Sequence, residues 1–186
     1  MLIKTLTPNM EIRAARLYVS PRTRPLTQDE METRALSYLL KEQTCPEAGL
    51  EIAAREMAAL ISGPCTLVPV PSHTGDTSAN IRLCQAIAAQ VEGGGKVADI
   101  LGRAHEVDSS CKRHKAGSQP LTIAEHSICR KGKKMVAINS LWFVDNTTTT
   151  GTTLEACKAA LGGFGRGLAF TDAWQSVCRR EMRKVA

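Results

Sequence analysis

Aromatic residues are scarce in this chain of 186 residues, where two Trp, two Tyr and three Phe make up 4% of the sequence. A protein that binds nucleic acid by stacking bases needs more aromatic side chains, so we rank that class last. Long apolar runs are also missing, since no stretch approaches the roughly 18 residues of a membrane-spanning helix. Residues 1–10 lack the layout of a signal peptide. We therefore expect a cytoplasmic protein that does not contact a membrane.

Paired cysteine motifs are absent as well. The chain has seven widely spaced cysteines and no Cys-x-x-Cys, so we expect no metal site built from protein ligands. In a reducing cytosol these residues are small core side chains and free thiols. Cys111 differs because neighbouring cations favour its thiolate. No His and carboxylate partner identifies it as a catalytic nucleophile.

Acidic residues are the minority, with 18 Asp and Glu against 24 Lys and Arg. The positive excess is concentrated in residues 103–134, which hold eight Lys or Arg and three Asp or Glu, and in the tail 175–186. Such clusters suggest an anionic ligand, either nucleic acid or phosphates. A solvated charged loop is the alternative. For the tail we favour the simple interpretation that it complements the dipole of a last helix.

Apolar periodicity predicts strands that alternate with helices. The predicted helices span 27–40, 50–61, 78–91, 154–161 and 174–184, and the predicted strands span 65–71, 97–101, 140–144 and 167–170. Residues 1–25 contain three prolines and are expected to be irregular. The alternation predicts an α/β fold with a parallel sheet. Ligands bind such sheets at the carboxyl ends of the strands.

One of the loops at these ends carries a distinctive pattern. An apolar strand leads to Asp145 and Asn146, and a threonine-rich turn with Gly151 follows before a helix begins. Backbone N–H groups at a helix N-terminus suit a phosphate monoester, and glycine permits close approach. A carboxylate and an amide suit sugar hydroxyls. The alternative is a polar turn with a threonine cap. The segment is neither a P-loop nor a dinucleotide fingerprint.

The segment Phe143–Thr153 resembles the phosphoribosyl pyrophosphate (PRPP) signature of type I phosphoribosyltransferases. In that family an apolar strand and two acids precede a Thr-Thr-Gly-x-Thr turn. The resemblance implies that Asp145 and Asn146 face the ribose hydroxyls, although most members carry a second acid where this chain has Asn146. It also implies that the ribose 5-phosphate is held by the turn residues Thr149, Thr150, Gly151, Thr152 and Thr153.

Two further segments resemble the same family. Val68–His73 is similar to the strand and pyrophosphate loop of its ComF branch, which implies that Ser72 and His73 bind substrate. An ordinary connecting loop is the alternative. The basic stretch 109–117 is similar to the mobile loop that closes over pyrophosphate. This implies catalytic roles for the cations Lys112, Arg113 and Lys115.

The resemblance also implies an architecture and a reaction. It implies one domain with a three-layer, twisted and mostly parallel sheet, in which 1–62 form a helical hood, 63–174 the core and 175–186 a basic helix. The reaction is Mg²⁺-dependent transfer of phosphoribose from PRPP to a small nitrogenous acceptor. Homodimers are common in the family. The alternative is a non-catalytic sensor of PRPP or nucleotides that acts through a protein or nucleic-acid partner, contacted through the basic segments.

Overall fold

A six-stranded sheet forms the centre of the computed structural model, which describes residues 2–7, 10–22, 24–109, 112–113, 116–132 and 140–173. In chain order its strands are β1 (Leu2–Thr7), β2 (Met10–Leu17), β3 (Cys65–Pro69), β4 (Gly95–Val97), β7 (Leu141–Thr148) and β8 (Arg166–Asp172). Their spatial order is β1-β2-β8-β7-β3-β4. The five strands from β2 to β4 are parallel and β1 is antiparallel. The expected α/β fold is confirmed.

Helices cover both faces of this sheet, and a small hairpin stands beside it. The helices are α1 (Gln28–Leu39), α2 (Glu47–Ala58), α3 (Ser78–Ala88) and α4 (Thr152–Ala160). The hairpin pairs β5 (Leu101–Arg103) with β6 (Ile128–Arg130). All four helices follow the predicted periodicity, and the capping box of Thr27 and Glu30 is present. The predicted helix at 174–184 and the tail lie outside the described residues.

The amino-terminal segment differs from the prediction. Residues 1–25 were expected to be irregular, yet β2 pairs in parallel with β8 and belongs to the main sheet. Met10, Ile12 and Ala14 are buried and alternate with partly exposed residues. This is the period of a strand with one face in the core. The segment 1–62 therefore contributes two sheet strands, β1 and β2, as well as the two predicted helices.

The pleat of β7 separates two hydrophobic clusters. Trp142 and Val144 pack with α2 and α3 on one face, and Leu141 and Phe143 pack with α4 on the other. Each cluster is built from buried aliphatic and aromatic side chains, whose burial contributes about 25 cal/mol per Å² of apolar surface. This two-sided burial holds the carboxyl ends of β3 and β7 at fixed positions.

Buried cysteines contribute to the same interior. Cys45, Cys65, Cys84 and Cys157 are free and buried, as expected for small core residues. Burial raises the pKa of the Cys65 and Cys84 thiols. These thiols are therefore neutral packing groups at pH 7. Cys111 and Cys178 lie outside the described residues.

Candidate functional site

The sheet has a switch point in its connections between β3 and β7. From β3 the chain crosses through α3 to β4 on one side, and from β7 it crosses through α4 to β8 on the other. When two crossovers have the same handedness but run in opposite directions along a sheet, their helices lie on opposite faces of that sheet. Here α3 and α4 lie on opposite faces. The two loops at the carboxyl ends consequently diverge. The crevice between them is where open α/β sheets bind ligands.

The loop after β7 presents backbone N–H groups at the start of α4. Gly151 precedes the helix with φ +85°, a conformation that favours glycine. The Thr150 and Thr152 hydroxyl oxygens are 2.8 Å apart and share a hydrogen bond. The N-cap residue Gly151 makes no side-chain hydrogen bond to α4, and the Thr150 Oγ1 accepts the Thr152 N–H at 3.5 Å. The remaining N–H groups of the first turn and the positive end of the helix dipole are suited to an anion.

Asp145 lies inside β7, since the strand continues to Thr148 instead of ending at Val144 as predicted. Its Oδ1 accepts the backbone N–H of Asn146 at 2.8 Å. Burial of the carboxylate raises its pKa, and the Asn146 N–H, Lys41, Asn80 and Arg103 oppose that rise. The Asp145 carboxylate is thus enclosed by protein, and hydrogen-bond donors and positive charges act on it. Such a carboxylate is suited to accept hydrogen bonds from neutral hydroxyl groups.

Asn146 does not lie beside Asp145. Successive side chains of a strand point to opposite faces, and both residues are within β7. Asn146 is buried, and its Nδ2 donates to the Ser37 carbonyl oxygen in α1 at 2.9 Å. The prediction had placed both residues at a strand tip. The longer strand separates them, and the amide nitrogen of Asn146 ties α1 to the sheet.

Asn80 connects the two loops. Its Nδ2 donates to the Val70 carbonyl oxygen at 2.8 Å, just beyond β3. Its side chain also acts on the Asp145 carboxylate and lowers the pKa of that group. Asn80 occupies the first turn of α3, so it bridges the strand ends on both sides of the crevice.

The loop after β3 is held by its own backbone. The Ser72 N–H donates to the Asp76 carbonyl oxygen at 2.8 Å, and the Gly75 N–H donates to the Ser72 carbonyl oxygen at 3.0 Å. The Asp76 carboxylate accepts the Ser78 N–H and hydroxyl, which lowers its pKa. The Ser72 hydroxyl lies 2.9 Å from that of Thr74. The predicted substrate residues Ser72 and His73 therefore lie on a closed turn at the crevice.

Arg103 is a site residue that the sequence reasoning missed. It ends β5, and its guanidinium donates to three carbonyl oxygens: Ser72 at 2.5 Å, Pro71 at 3.4 Å and His126. Burial lowers its pKa, while Cys157 and Asp145 oppose this effect. Within the described residues no carboxylate comes within ion-pair distance of it. The feature of the sequence that could have indicated Arg103 is a cation that follows a short apolar strand.

His126 lies against Arg103 in a buried position. Burial, together with the Arg103 charge, lowers the pKa of its imidazole from 6.5 to about 4. The Nδ1 atom is buried and has no hydrogen-bond partner among the residues that the structure describes. The imidazole is therefore neutral at pH 7. Its backbone carbonyl, which accepts from Arg103, attaches the end of the basic segment to the loop after β3.

The three predicted catalytic cations occupy the long connection between β5 and β6. Lys112 is exposed and pairs with Asp108 at 2.8 Å, and Arg113 donates to the Gln119 carbonyl oxygen at 2.6 and 2.9 Å. Lys115 lies outside the described residues. The base of the connection reaches the site, since the Val107 N–H donates to the His73 carbonyl oxygen at 3.0 Å. Contacts of the cations with the crevice stay a prediction.

The described residues form neither a metal cluster nor a membrane-spanning helix. Among the described residues no group of three or more His, Cys, Asp or Glu side chains is arranged to hold a metal ion. In these parts no helix has the length and apolar character needed to cross a bilayer. Asp145 is the one predicted site residue with a carboxylate.

By its fold this chain is an α/β protein with a mostly parallel sheet. A candidate anion site lies at the switch point of that sheet. Comparison with known protein families found no family whose model matches this chain. A search of curated proteins likewise found no match.

Proposed function

We propose that this protein binds PRPP at the carboxyl edge of its sheet and transfers the phosphoribosyl group to a nitrogenous acceptor, with release of pyrophosphate. The proposal depends on one observation: the loop after β3 and the loop after β7, which differ in structure, lie on the two sides of the switch point. One loop presents a glycine turn that leads into the start of α4, where the N-cap residue Gly151 makes no side-chain hydrogen bond. Asp145 lies in the strand that leads to this turn.

Each part of the substrate has a chemical counterpart. The 5-phosphate is assigned to Thr149, Thr150, Gly151, Thr152 and Thr153, where N–H and hydroxyl donors converge. The ribose 2- and 3-hydroxyls are assigned to the Asp145 carboxylate, which accepts hydrogen bonds. The pyrophosphate is assigned to the loop of Ser72 and His73, which Arg103 holds in place. Mg²⁺ carried by the pyrophosphate would supply charge neutralisation for the leaving group.

The reaction needs no covalent nucleophile from the protein. As the bond between ribose C1 and the pyrophosphate oxygen breaks, positive charge develops on the sugar. The Asp145 carboxylate stabilises that charge at the ribose. The cations Lys112, Arg113 and Lys115 are assigned to the leaving group when their segment closes over it. The double variant Lys112→Ala with Arg113→Ala should lower turnover more than affinity for ribose 5-phosphate, and equal losses of both would count against closure.

A second function of the same site is favoured by Asn146. Its amide nitrogen is engaged with Ser37, and its side chain carries no charge where the resembled family has a second acid. A protein with one acid at the ribose stabilises the developing cation less than one with two. This favours a sensor of PRPP or a nucleotide that acts through a partner. Release of pyrophosphate in the presence of acceptors separates the enzyme from the sensor.

The first experiment is a calorimetric titration with PRPP, with and without Mg²⁺, beside ribose 5-phosphate. Micromolar binding of PRPP that requires Mg²⁺ is the expected result. Glu92→Gln is a matched control, because α3 runs back from the crevice and Glu92 follows its far end. Binding of ribose 5-phosphate alone would point to a different phosphosugar. No binding of either compound would overturn the proposal.

A further inference from the structure

Helix α1 runs across one face of the sheet toward the crevice. Near its middle the Thr33 hydroxyl accepts from Arg16 of β2 at 2.9 Å, and in its last turn the Ser37 carbonyl oxygen accepts from Asn146 of β7 at 2.9 Å. In the sheet β8 lies between β2 and β7. The helix therefore passes over β8 and ends against the second half of β7, the strand that carries Asp145.

Residues 40–46, which connect α1 to α2, are attached to the other side of the crevice. Arg82 of α3 donates to the Gln43 carbonyl oxygen. The Gln43 side chain acts on the Asp76 carboxylate in the loop after β3 and contributes to its lowered pKa. Lys41 lies between this attachment and the end of α1, two residues before Gln43. Its backbone is therefore held between β7 and the loop after β3.

The ammonium group of Lys41 is accessible to a ligand. Lys41 is exposed, and no carboxylate in the part of the chain that the structure describes comes within ion-pair distance of it. Its Nζ lies 5.6 Å from the centroid of the Tyr38 ring, and the ring face attracts the cation. The Lys41 charge also opposes the rise in the pKa of the Asp145 carboxylate. An exposed cation without an acidic partner is suited to bind an anion.

Three other cations discussed above already have partners. The Arg103 guanidinium donates to three carbonyl oxygens. Lys112 pairs with a carboxylate, and Arg113 donates to a carbonyl oxygen. These contacts must be exchanged before any of the three binds a phosphate. Lys41 needs no such exchange, so it can meet a ligand in the conformation that the structure shows.

The two faces of the sheet decide which phosphate of the substrate Lys41 can meet. Leu154 of α4 packs in the cluster of Phe143 on one face, and the start of α4 is assigned to the 5-phosphate. Leu36 of α1 and Leu83 of α3 pack in the cluster on the other face. The loop after β3, which is assigned to pyrophosphate, leads into α3. Lys41 therefore lies on the pyrophosphate side of the crevice.

We propose that Lys41 binds the pyrophosphate of PRPP through its ammonium group, before the basic segment between β5 and β6 closes. This inference rests on the proposed function. An ammonium group has three N–H donors, and hydrogen bonds from a cation to phosphate oxygens are stronger than neutral ones. Lys41 thus holds the leaving group in the open site and stabilises the negative charge that it gains. Lys112 and Arg113 add their charges when the segment closes.

The test titrates three ligands into the full chain by calorimetry: PRPP and pyrophosphate, each with Mg²⁺, and ribose 5-phosphate. Lys41→Met should weaken the binding of PRPP and of pyrophosphate about tenfold, because a charge-assisted hydrogen bond is lost. It should leave the affinity for ribose 5-phosphate and the melting temperature unchanged, since the side chain is exposed. Lys41→Arg should retain most of the affinity. Lys96→Met is the control, because Lys96 is exposed in the edge strand β4.

Unchanged affinity of Lys41→Met for PRPP and pyrophosphate would overturn the inference. Equal losses for pyrophosphate and ribose 5-phosphate would also overturn it, because they would show that Lys41 acts on the ribose through Asp145. Failure of the proposed function is recognised separately, by a wild-type protein that binds pyrophosphate through Lys41 but binds neither PRPP nor ribose 5-phosphate. A wild-type protein that binds none of the three ligands would overturn both proposals.

Discussion

The two loops at the switch point differ in how their hydrogen-bonding groups are used. The loop after β3 is closed by backbone bonds of Ser72 and Gly75 and is held from outside by Arg103. In the loop after β7 the Thr150 hydroxyl contacts the Thr152 hydroxyl at 2.8 Å and accepts the Thr152 N–H at 3.5 Å, and the N-cap residue Gly151 adds no side-chain hydrogen bond. The first loop is fixed by its own backbone bonds and by Arg103. The second has fewer such bonds, so the comparison separates a scaffold from a candidate binding surface.

The largest effect on this comparison is expected at Asp145. Asp145→Asn removes the charge that the proposal assigns to the ribose hydroxyls, and losing about two charge-assisted hydrogen bonds should weaken PRPP binding about 100-fold. The titration described above measures the loss, with Glu92→Gln as the control. Retained affinity would contradict the assignment of the ribose to this residue.

The same variant should gain stability at neutral pH. Burial raises the pKa of Asp145, so the charged form is disfavoured in the folded chain. Because the pKa of Asp145 is higher in the folded chain than in the unfolded chain, the stability of wild type relative to the variant is highest at a pH below the unfolded-state pKa. It falls as the pH rises through the folded-state pKa. Asp145→Asn should therefore melt higher than wild type at pH 7, by about 2 to 4 °C per kcal/mol, and this advantage should shrink in acid. Equal melting temperatures at both pH values would argue against the buried charge.

Acid should act on the scaffold loop through His126. The pKa of this buried imidazole is lowered from 6.5 to about 4. Because the pKa of His126 is lower in the folded chain than in the unfolded chain, its contribution to the free energy of unfolding is fully present above the unfolded-state pKa. This contribution is lost as the pH falls toward the folded-state pKa, by roughly 3 kcal/mol in total. Urea denaturation between pH 7 and pH 4 measures this loss. It should be absent in His126→Gln and kept in His105→Gln, whose side chain is exposed in the same connection.

Arg103→Met tests the external support of the scaffold loop. Three carbonyl oxygens lose their donor, and the free energy of unfolding should fall by about 1 to 3 kcal/mol. Affinity for PRPP should fall more than affinity for ribose 5-phosphate, because the loop assigned to pyrophosphate loses its position. Arg55→Met on the exposed side of α2 is the control. Equal losses for both ligands would mean that Arg103 acts on the whole fold.

The smallest change in stability is expected at Gly151, and Gly163 provides its control. Both glycines have positive φ, +85° and +89°, so alanine at either position should cost about 1 kcal/mol. No atom lies within 4 Å of a Cβ built at Gly163. Thermal melting should give similar losses for the two variants. Only Gly151→Ala should lose affinity for ribose 5-phosphate. Equal affinities of the two variants would contradict the assignment of the phosphate to this turn.

Local patterns predicted most of the core elements. The apolar faces of α1 to α4 and the runs of β3 and β8 are set by spacing along the chain, and their positions differ from the prediction by a few residues at most ends. Pro69 is the last residue of β3, as expected for a residue without an N–H group. The strand predicted at 97–101 is instead the end of β4 followed by the start of β5. Short strands depend on their partners more than on their own residues.

The amino-terminal strand shows why other elements were missed. Ile12 and Ala14 alternate with Arg13 and with polar neighbours, a pattern that predicts a strand in retrospect. Three prolines in residues 1–25 favoured an irregular segment. Only pairing with β8, which lies more than 150 residues later in the chain, makes that segment part of the sheet. Such pairing is a tertiary interaction and leaves no local signature.

The sequence by itself determined the alternation of strands and helices, the glycine turn before α4 and the residues assigned to phosphate, because periodicity and backbone preference are local properties. Tertiary structure alone decided that β7 continues to Thr148, which directs Asn146 to α1 and leaves Asp145 at the crevice. It also brought Arg103 to the loop after β3 and Lys41 toward Asp145. These contacts join residues far apart in the chain, and their energies depend on burial and distance that arise only when the sheet has formed.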